Sequence, residues 1–415
     1  MSSTACSECT DLPLLPDTTD TPRWSAVVSL ALGVFGLVTA EFLPASLLTA
    51  MASDLSVSEG VAGQTVTATA LIAAIAAPSL PLLTRRIDRK HVMIALTLLL
   101  VLSNGLAAMA GSLSTLLIAR VVLGVALGGF WSMAAALAMR LVPEHQFARA
   151  MSLILTGVSV ATVCAAPIGA WMGELWGWRS AFVAAGVVSA ITLMAQLFSL
   201  PALPPKANPN LRVLGELLTR PAVRMALLAV LLVISGHFAG FTYIRPLMEN
   251  IAGLSVSAIS MILLGYGIGG FFGNFVGGYI AGRSERHAIV FGGTLIAVLA
   301  ASLLLAGHSS AVTAVAVVLW GFSFGAFPVG FQIWIARAAP DQAEGAGGLL
   351  VAAFQIAIAT GAIGGGLLVD HIGASGGPLF AVVAMMLGTL LTLRYGPNAA
   401  RAQASAVSPS ELPAD

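Results

Sequence analysis

Long apolar runs alternate with short polar breaks from one end of the chain to the other. The runs lie near 24–51, 61–83, 92–110, 114–139, 148–172, 178–200, 223–250, 257–281, 287–306, 311–336, 345–369 and 376–394. A helix needs about 20 apolar residues to cross the hydrocarbon core of a bilayer. The pattern therefore predicts an all-α polytopic membrane protein with twelve transmembrane helices. Spans 5/6 and 11/12 are parted by the weakest breaks, so counts of eleven or thirteen also fit the hydropathy pattern.

Composition narrows the picture. Only 37 of 415 residues are Asp, Glu, Lys or Arg, 58% are apolar, and mean hydropathy is +0.95. An ordinary soluble domain carries roughly a quarter charged residues and covers its surface with polar groups. A soluble enzyme, a nucleic-acid binder and a disordered chain are all disfavoured. The net charge of +1 supplies no basic field for nucleic acid.

Charge placement sets the orientation. The tails and even-numbered loops hold 16 of the 19 Lys and Arg residues. The others are Arg120, inside span 4, and Arg179 and Arg245 on the opposite side. By the positive-inside rule, both termini are expected to be cytoplasmic. The first 22 residues lack the basic start of a signal peptide, and the last 20 read as a polar tail. Cys6 and Cys9 form a lone C-x-x-C without a second pair, which fits reduced thiols better than a metal site. Cys164 reads as a packing residue. No metal or cofactor is expected.

The chain repeats itself weakly. Gly124/Gly321, Gly128/Gly325, Phe130/Phe327, Arg140/Arg337, Pro143/Pro340 and Glu144/Asp341 correspond at an offset of 197, as do Asp88-Arg89 and Glu285-Arg286. Nearby offsets relate Leu55–Ser58 to Leu254–Ser257, and Gly169, Glu174, Gly177 to Gly365, Asp370, Gly373. The expected organisation is a tail (1–22), a six-helix half (23–200), a linker (201–222), a second six-helix half (223–395) and a tail (396–415). Halves in parallel topology are related by an axis along the membrane normal, with substrate between them near mid-membrane. The GxxxG spacings at Gly124/Gly128 and Gly321/Gly325 suit close helix contacts.

Two six-helix halves, a basic loop after span 2, and R-x3-G-x3-G at Arg120, Gly124 and Gly128 together resemble the major facilitator superfamily. Ala166–Phe182 resembles its span-5 antiporter motif, with Pro167 in the helix-bending position. The basic loop departs from the family pattern. Pro81–Lys90 reads PLLTRRIDRK, with Arg85 where the motif's Asp stands and Asp88 where its second Gly stands. Arg85, Asp88 and Arg89 are thus gating candidates, and the latch that the family builds on the motif's Asp does not carry over to them by resemblance. A closer resemblance is to bacterial purine ribonucleoside efflux pumps of the drug:proton antiporter group. It is carried by Glu41–Ala70, Leu127–Pro143, Gly173–Arg179, Phe241–Pro246 and Asp341–Gly347. It implies export of a neutral nucleoside such as inosine or guanosine in exchange for protons, by a monomer in the bacterial inner membrane.

Glu41 lies well inside span 1. An ionised carboxylate buried in hydrocarbon costs several kcal/mol, so it must face a cavity, find a partner or hold a proton. It is the candidate proton carrier. Arg120, at comparable depth in span 4, is placed either to pair with Glu41 or to bond backbone carbonyls. His237, deep in span 7, is placed to relay a proton, bond a ribose hydroxyl or brace the core. Arg245 is a candidate gate residue. In the family, spans 1, 4, 7 and 10 line the cavity. Phe130, Trp131, Phe241, Tyr243, Phe327, Gln332 and Trp334 are therefore the substrate candidates, since a nucleoside needs an aromatic face and a few polar groups. A multidrug or sugar exporter is the alternative. A membrane sensor fits the fold but leaves an intramembrane Glu unexplained. A membrane-embedded enzyme would need clustered His, Asp, Cys or Ser, whereas His91, His145, His287, His308 and His371 are scattered.

Overall fold

The computed structural model describes residues 22–143, 146–204 and 211–397. The expected tails apart from residues 22, 396 and 397, and with them Cys6 and Cys9, as well as Glu144, His145 and residues 205–210 of the linker, lie outside the described residues. The chain folds into α1 (Trp24–Asp54), α2 (Glu59–Leu83), α3 (Arg89–Ala108), α4 (Leu113–Leu141), α5 (Phe147–Trp176), α6 (Trp178–Ser199), α7 (Leu211–Thr219) and α8 (Pro221–Thr242). It continues through α9 (Ile244–Asn250), α10 (Val256–Arg283), α11 (Glu285–Ala306), α12 (Ser310–Ala326), α13 (Pro328–Ala338), α14 (Ala343–Ile372) and α15 (Gly376–Tyr395). Among the described residues, twelve stretches are long and apolar enough to cross a membrane, one of them formed by α12 and α13 together.

Local chemistry explains the ends. Ser58, Asp88, Ser112, Ser255, Ser284 and Ser309 each stand before a helix and accept a hydrogen bond from a first-turn N–H. Each of the two weak breaks of the hydropathy pattern opens on a glycine. Gly177 (φ +79°) separates α5 from α6, and Gly373 (φ +78°) ends α14, both in the left-handed region that favours glycine. Two spans read as continuous are broken. A proline ring clashes with the carbonyl four residues back. For Pro246 that is Thr242, where α8 ends, and for Pro328 it is Phe324, just before the α12–α13 junction at Phe327.

The repeat is visible as packing. In the first group of helices, α4 crosses α2 so closely that a Cβ at Gly124 or Gly128 would overlap the carbonyls of Thr69 and Ala73. In the second, a Cβ at Gly321 or Gly325 would overlap the carbonyls of Tyr266 and Gly270 on α10. All four pairs are related by the offset of 197. A further equivalence is polar. Arg337 Nη1 donates to both oxygens of buried Glu285 at 2.9 Å. At the matching place in the first group, a linker peptide is inserted. Leu203 N–H donates to Asp88 at 2.9 and 3.0 Å, while its carbonyl accepts from Arg89 N–H and from Arg140 Nη1. Partial burial raises the Asp88 carboxyl, but the N–H groups of Leu203 and Lys90, with nearby His91 and Arg140, outweigh this and hold it below the usual carboxylate range.

The start of α1 and the end of α15 share one face, called here the terminal face; the other is the far face. The two groups meet along α2 against α14 and α5 against α10. Toward the far face, Ala45, Val66, Ala70, Ala166 and Ala170 of the first group are buried in one continuous cluster with the second group. Toward the terminal face, Met133, Leu137 and Ala138 belong to a separate cluster of the first group alone. Short α7 docks on the second group through buried Leu217. There Arg220 forms a two-pronged ion pair with Asp341 at 2.6 and 2.7 Å, and that hydrogen bonding holds the Asp341 carboxyl below its usual range.

Candidate functional site: a cleft between the two helix groups

A cleft lies between the groups, beneath the far-face seam. Glu41, Phe42 and Ala45 of α1, Val66 of α2, and Phe238, Phe241 and Thr242 of α8 line it. The positions follow from helical phase, because residues three and four apart share a face. Phe42, Phe238 and Phe241 form a mutual aromatic wall. Their ring centroids are 5.7–6.4 Å apart, with edge-on or tilted planes. The Gln355 side chain of α14 approaches the Glu41 carboxyl. Gln355 Oε1 and Thr242 Oγ1 are buried without a protein partner. The cleft thus offers one carboxyl, an aromatic wall and the unpartnered Thr242 hydroxyl, with the Gln355 amide beside the carboxyl.

Arg120 is 1% exposed. Its Nη1 donates to the Ala40 carbonyl at 2.8 Å, and its guanidinium lies 4.7 Å from the Phe182 ring centroid. The reason is local. Pro44 sits inside α1 and has no N–H, so the carbonyl four residues before it, Ala40, loses its helical donor. Arg120 supplies one, at the peptide immediately preceding Glu41. Its Nε and Nη2 are buried without a partner.

His237 is enclosed rather than presented to the cleft. Trp320 Nε1 donates to its Nδ1 at 3.0 Å, and its Nε2 lies 3.4 Å from the Tyr266 hydroxyl. An indole N–H only donates, so in the neutral ring the hydrogen sits on Nε2, toward Tyr266. Phe324 stacks on the ring at 3.9 Å, and Phe241 stacks at 5.6 Å on the cleft side.

Of the aromatic candidates, only Phe241 lines the cleft. Phe130 is buried against Gly33, Phe327 sits at the α12–α13 break between Phe324 and Phe331, and Trp334 is buried in the second group's core. Trp131 is half-buried against the first group's core, and Gln332 is exposed. Tyr243 is fully buried in the seam, where its hydroxyl donates to the Ala362 carbonyl at 2.8 Å and faces the Gly60 carbonyl at 3.5 Å. Phe42, Phe238, Thr242 and Gln355 were missed. Gln355 carries a readable signal, being a lone amide within the apolar stretch Leu349–Thr360.

The gating candidates divide in the same way. Arg245 Nη1 donates across the seam to the Ser46 carbonyl, and its Nε pairs with Glu249 at 2.7 Å. Pro167 is buried within α5, where it frees the Val163 carbonyl, and the backbone of Thr162 and Val163 packs against Gly267 of α10. Arg85 is exposed. Asp88 binds the linker, and Arg89 Nη1 bonds the Thr84 carbonyl and hydroxyl at 3.1 and 2.9 Å within its own group.

Twelve crossing helices in two repeat-related groups, with a cleft at their interface, have the build of a secondary transporter. The sequence profile of the Major Facilitator Superfamily matches residues 30–346 and 244–413, and the chain belongs to that superfamily of membrane transporters. The purine ribonucleoside efflux pump NepI of Shigella sonnei is 43% identical over 370 residues, covering 89% of this chain and 93% of that protein. The pump of the same name from Escherichia coli K12 matches with the same identity and coverage. Among solved structures, a bacterial homolog of the human lysosomal transporter Spinster, crystallised inward-facing and unoccupied, superposes with a TM-score of 0.74. It covers 91% of this chain and 96% of its own at 14% identity, and thus shares the fold.

Proposed function

We propose that this protein exports neutral purine ribonucleosides in exchange for protons, with Glu41 as the proton carrier. The observation that carries the reading is the single carboxyl on an aromatic-walled cleft between the two groups. The printed function of the 43%-identical pumps supports the substrate class. The cleft chemistry suits it. A purine ring finds an aromatic face in Phe42, Phe238 and Phe241. Gln355 Oε1 and Thr242 Oγ1 await donors, which inosine and guanosine carry as ring N–H and ribose O–H groups.

Protonation and substrate compete for the Glu41 side of the cleft. Arg120 fixes the peptide before Glu41 and adds a positive charge nearby, without taking the carboxylate as its own partner. His237 braces the aromatic wall and holds Phe241 in place. The two six-helix halves, 23–200 and 223–395, rock about the cleft, with Tyr243 and Arg245 at one gate and Pro167 in a bending helix. The basic terminal face is cytoplasmic, the membrane is the bacterial inner membrane, and the working unit is the monomer. In this conformer the far, outer end is shut.

Counterflow in proteoliposomes tests the substrate class. Inosine or guanosine trapped inside is expected to accelerate labelled inosine entry, with little effect from sugars. Acceleration by a lipophilic cation or a sugar, and none by nucleosides, would replace this reading with that of a drug or sugar exporter.

A further inference from the structure

One contact across the seam has no counterpart in the established gating motifs of the sequence. Asp370 stands in the last turn of α14, in the second helix group. Its Oδ1 accepts from the backbone N–H of Gly60 at 3.0 Å, and its Oδ2 accepts from the Ser58 hydroxyl at 3.0 Å. Both partners belong to the start of α2, in the first group. The first N–H groups of a helix have no partner within it, and that end carries partial positive charge. Ser58 satisfies one of them, accepting from Val61 N–H at 3.1 Å. Asp370 satisfies another from the opposite group. The fit is tight, since a Cβ at Gly60 would overlap the Asp370 carboxyl. One turn deeper, the Tyr243 hydroxyl fills the gap between Gly63 and Gly366. At the corresponding place on α5, Glu174 is exposed, so the repeat supplies a carboxylate to both seams while only the α2–α14 seam uses it here.

We propose that Asp370 is a latch that holds the far-face end shut by capping the N-terminus of α2 across the seam. The cap exists only while the two groups are together, so it stabilises this conformer and not one opened at the far face. Charge-assisted hydrogen bonds to backbone and hydroxyl are stronger than neutral ones. Removing them moves the equilibrium toward far-face opening by about tenfold. Asp370 is a positioning residue: it touches no substrate, and the latch holds whatever the cargo is.

The test is distance measurement by pulsed electron resonance on the full chain in nanodiscs, with Cys6, Cys9 and Cys164 replaced by serine. Spin labels at exposed Met109 and Leu305 report the far-face gap. Labels at exposed Ile87 and Tyr395 report the terminal face. No substrate is needed, so the result is independent of the nucleoside reading. Asp370→Ala is expected to raise the long-distance far-face population about tenfold, with reciprocal shortening at the terminal face. A far-face distribution identical to that of the unmutated chain would overturn the latch. If Asp370→Ala broadens both distances together, the fold is lost and Asp370→Asn decides. A smaller shift in the same direction supports the latch, and an unchanged distribution overturns it.

Discussion

Glu41→Gln is expected to abolish pH-driven nucleoside accumulation. Glutamine keeps the size and hydrogen-bonding reach of glutamate but cannot take up and release a proton near neutral pH. Its amide still fits beside Gln355 and at the edge of the aromatic wall. The cleft, its lining and the Arg120–Ala40 contact are left in place. Only the exchangeable proton is removed. For one proton per substrate at zero membrane potential, each pH unit is worth about 1.4 kcal/mol, or about tenfold in the substrate gradient. Everted vesicles with an acid interior should therefore accumulate inosine about tenfold per pH unit through the unmutated chain. Through Glu41→Gln that ratio should fall to unity, while nucleoside–nucleoside exchange continues. A variant that still accumulates inosine in proportion to the pH gradient would remove Glu41 from the coupling step.

Gly63→Ala should have the second-largest effect, by a steric route. A Cβ at this position would overlap the Tyr243 hydroxyl and stand 2.6 and 2.8 Å from ring atoms Cζ and Cε1. The ring has nowhere to go. It is fully buried, tied to Ala362, and confined on its other side by Gly366. Overpacking a filled site costs about 1–3 kcal/mol, all of it charged to the conformer closed at the far face. At 1.4 kcal/mol per tenfold, the closed state loses between about fivefold and a hundredfold in population. A cysteine placed at Ala45, buried in the seam, then reports the change. Its labelling by a membrane-impermeant thiol reagent from the far face should speed up by about the same factor, and transport should slow. Unchanged labelling would show that the Tyr243 plug does not govern closure.

Much of the fold was legible because it is written in side-chain polarity. Twelve spans, their order and the repeat offset all come from apolar runs and glycine spacing. The Gly124–Thr69 and Gly321–Tyr266 contacts are the physical meaning of that offset. The breaks at Tyr243 and Phe327 are invisible to hydropathy, which counts apolar side chains and ignores the N–H that Pro246 and Pro328 lack.

The site was legible in part. Glu41 and Arg120 stand out in any apolar span, but their relation does not. Arg120 reaches the carbonyl that Pro44 leaves unpaired, a link between two helices that no single-span pattern contains. The aromatic candidates were chosen by span, whereas lining a cleft depends on phase. Phe241 shares a face with Phe238 and Thr242, while Phe130 and Phe327 face inward to their own groups. Asp370 shows in the sequence only as the repeat partner of Glu174, because its own partners lie 310 and 312 residues away.

The central claim is that a neutral nucleoside and a proton move in opposite directions through one cleft. Purified protein in liposomes loaded with a pH-sensitive dye, with the membrane potential clamped at zero, tests it most directly. Adding inosine outside should drive protons out of the lumen in fixed ratio to inosine entering, and Glu41→Gln should admit inosine without that proton flux. Inosine entry through the unmutated protein with no change in luminal pH would contradict the account.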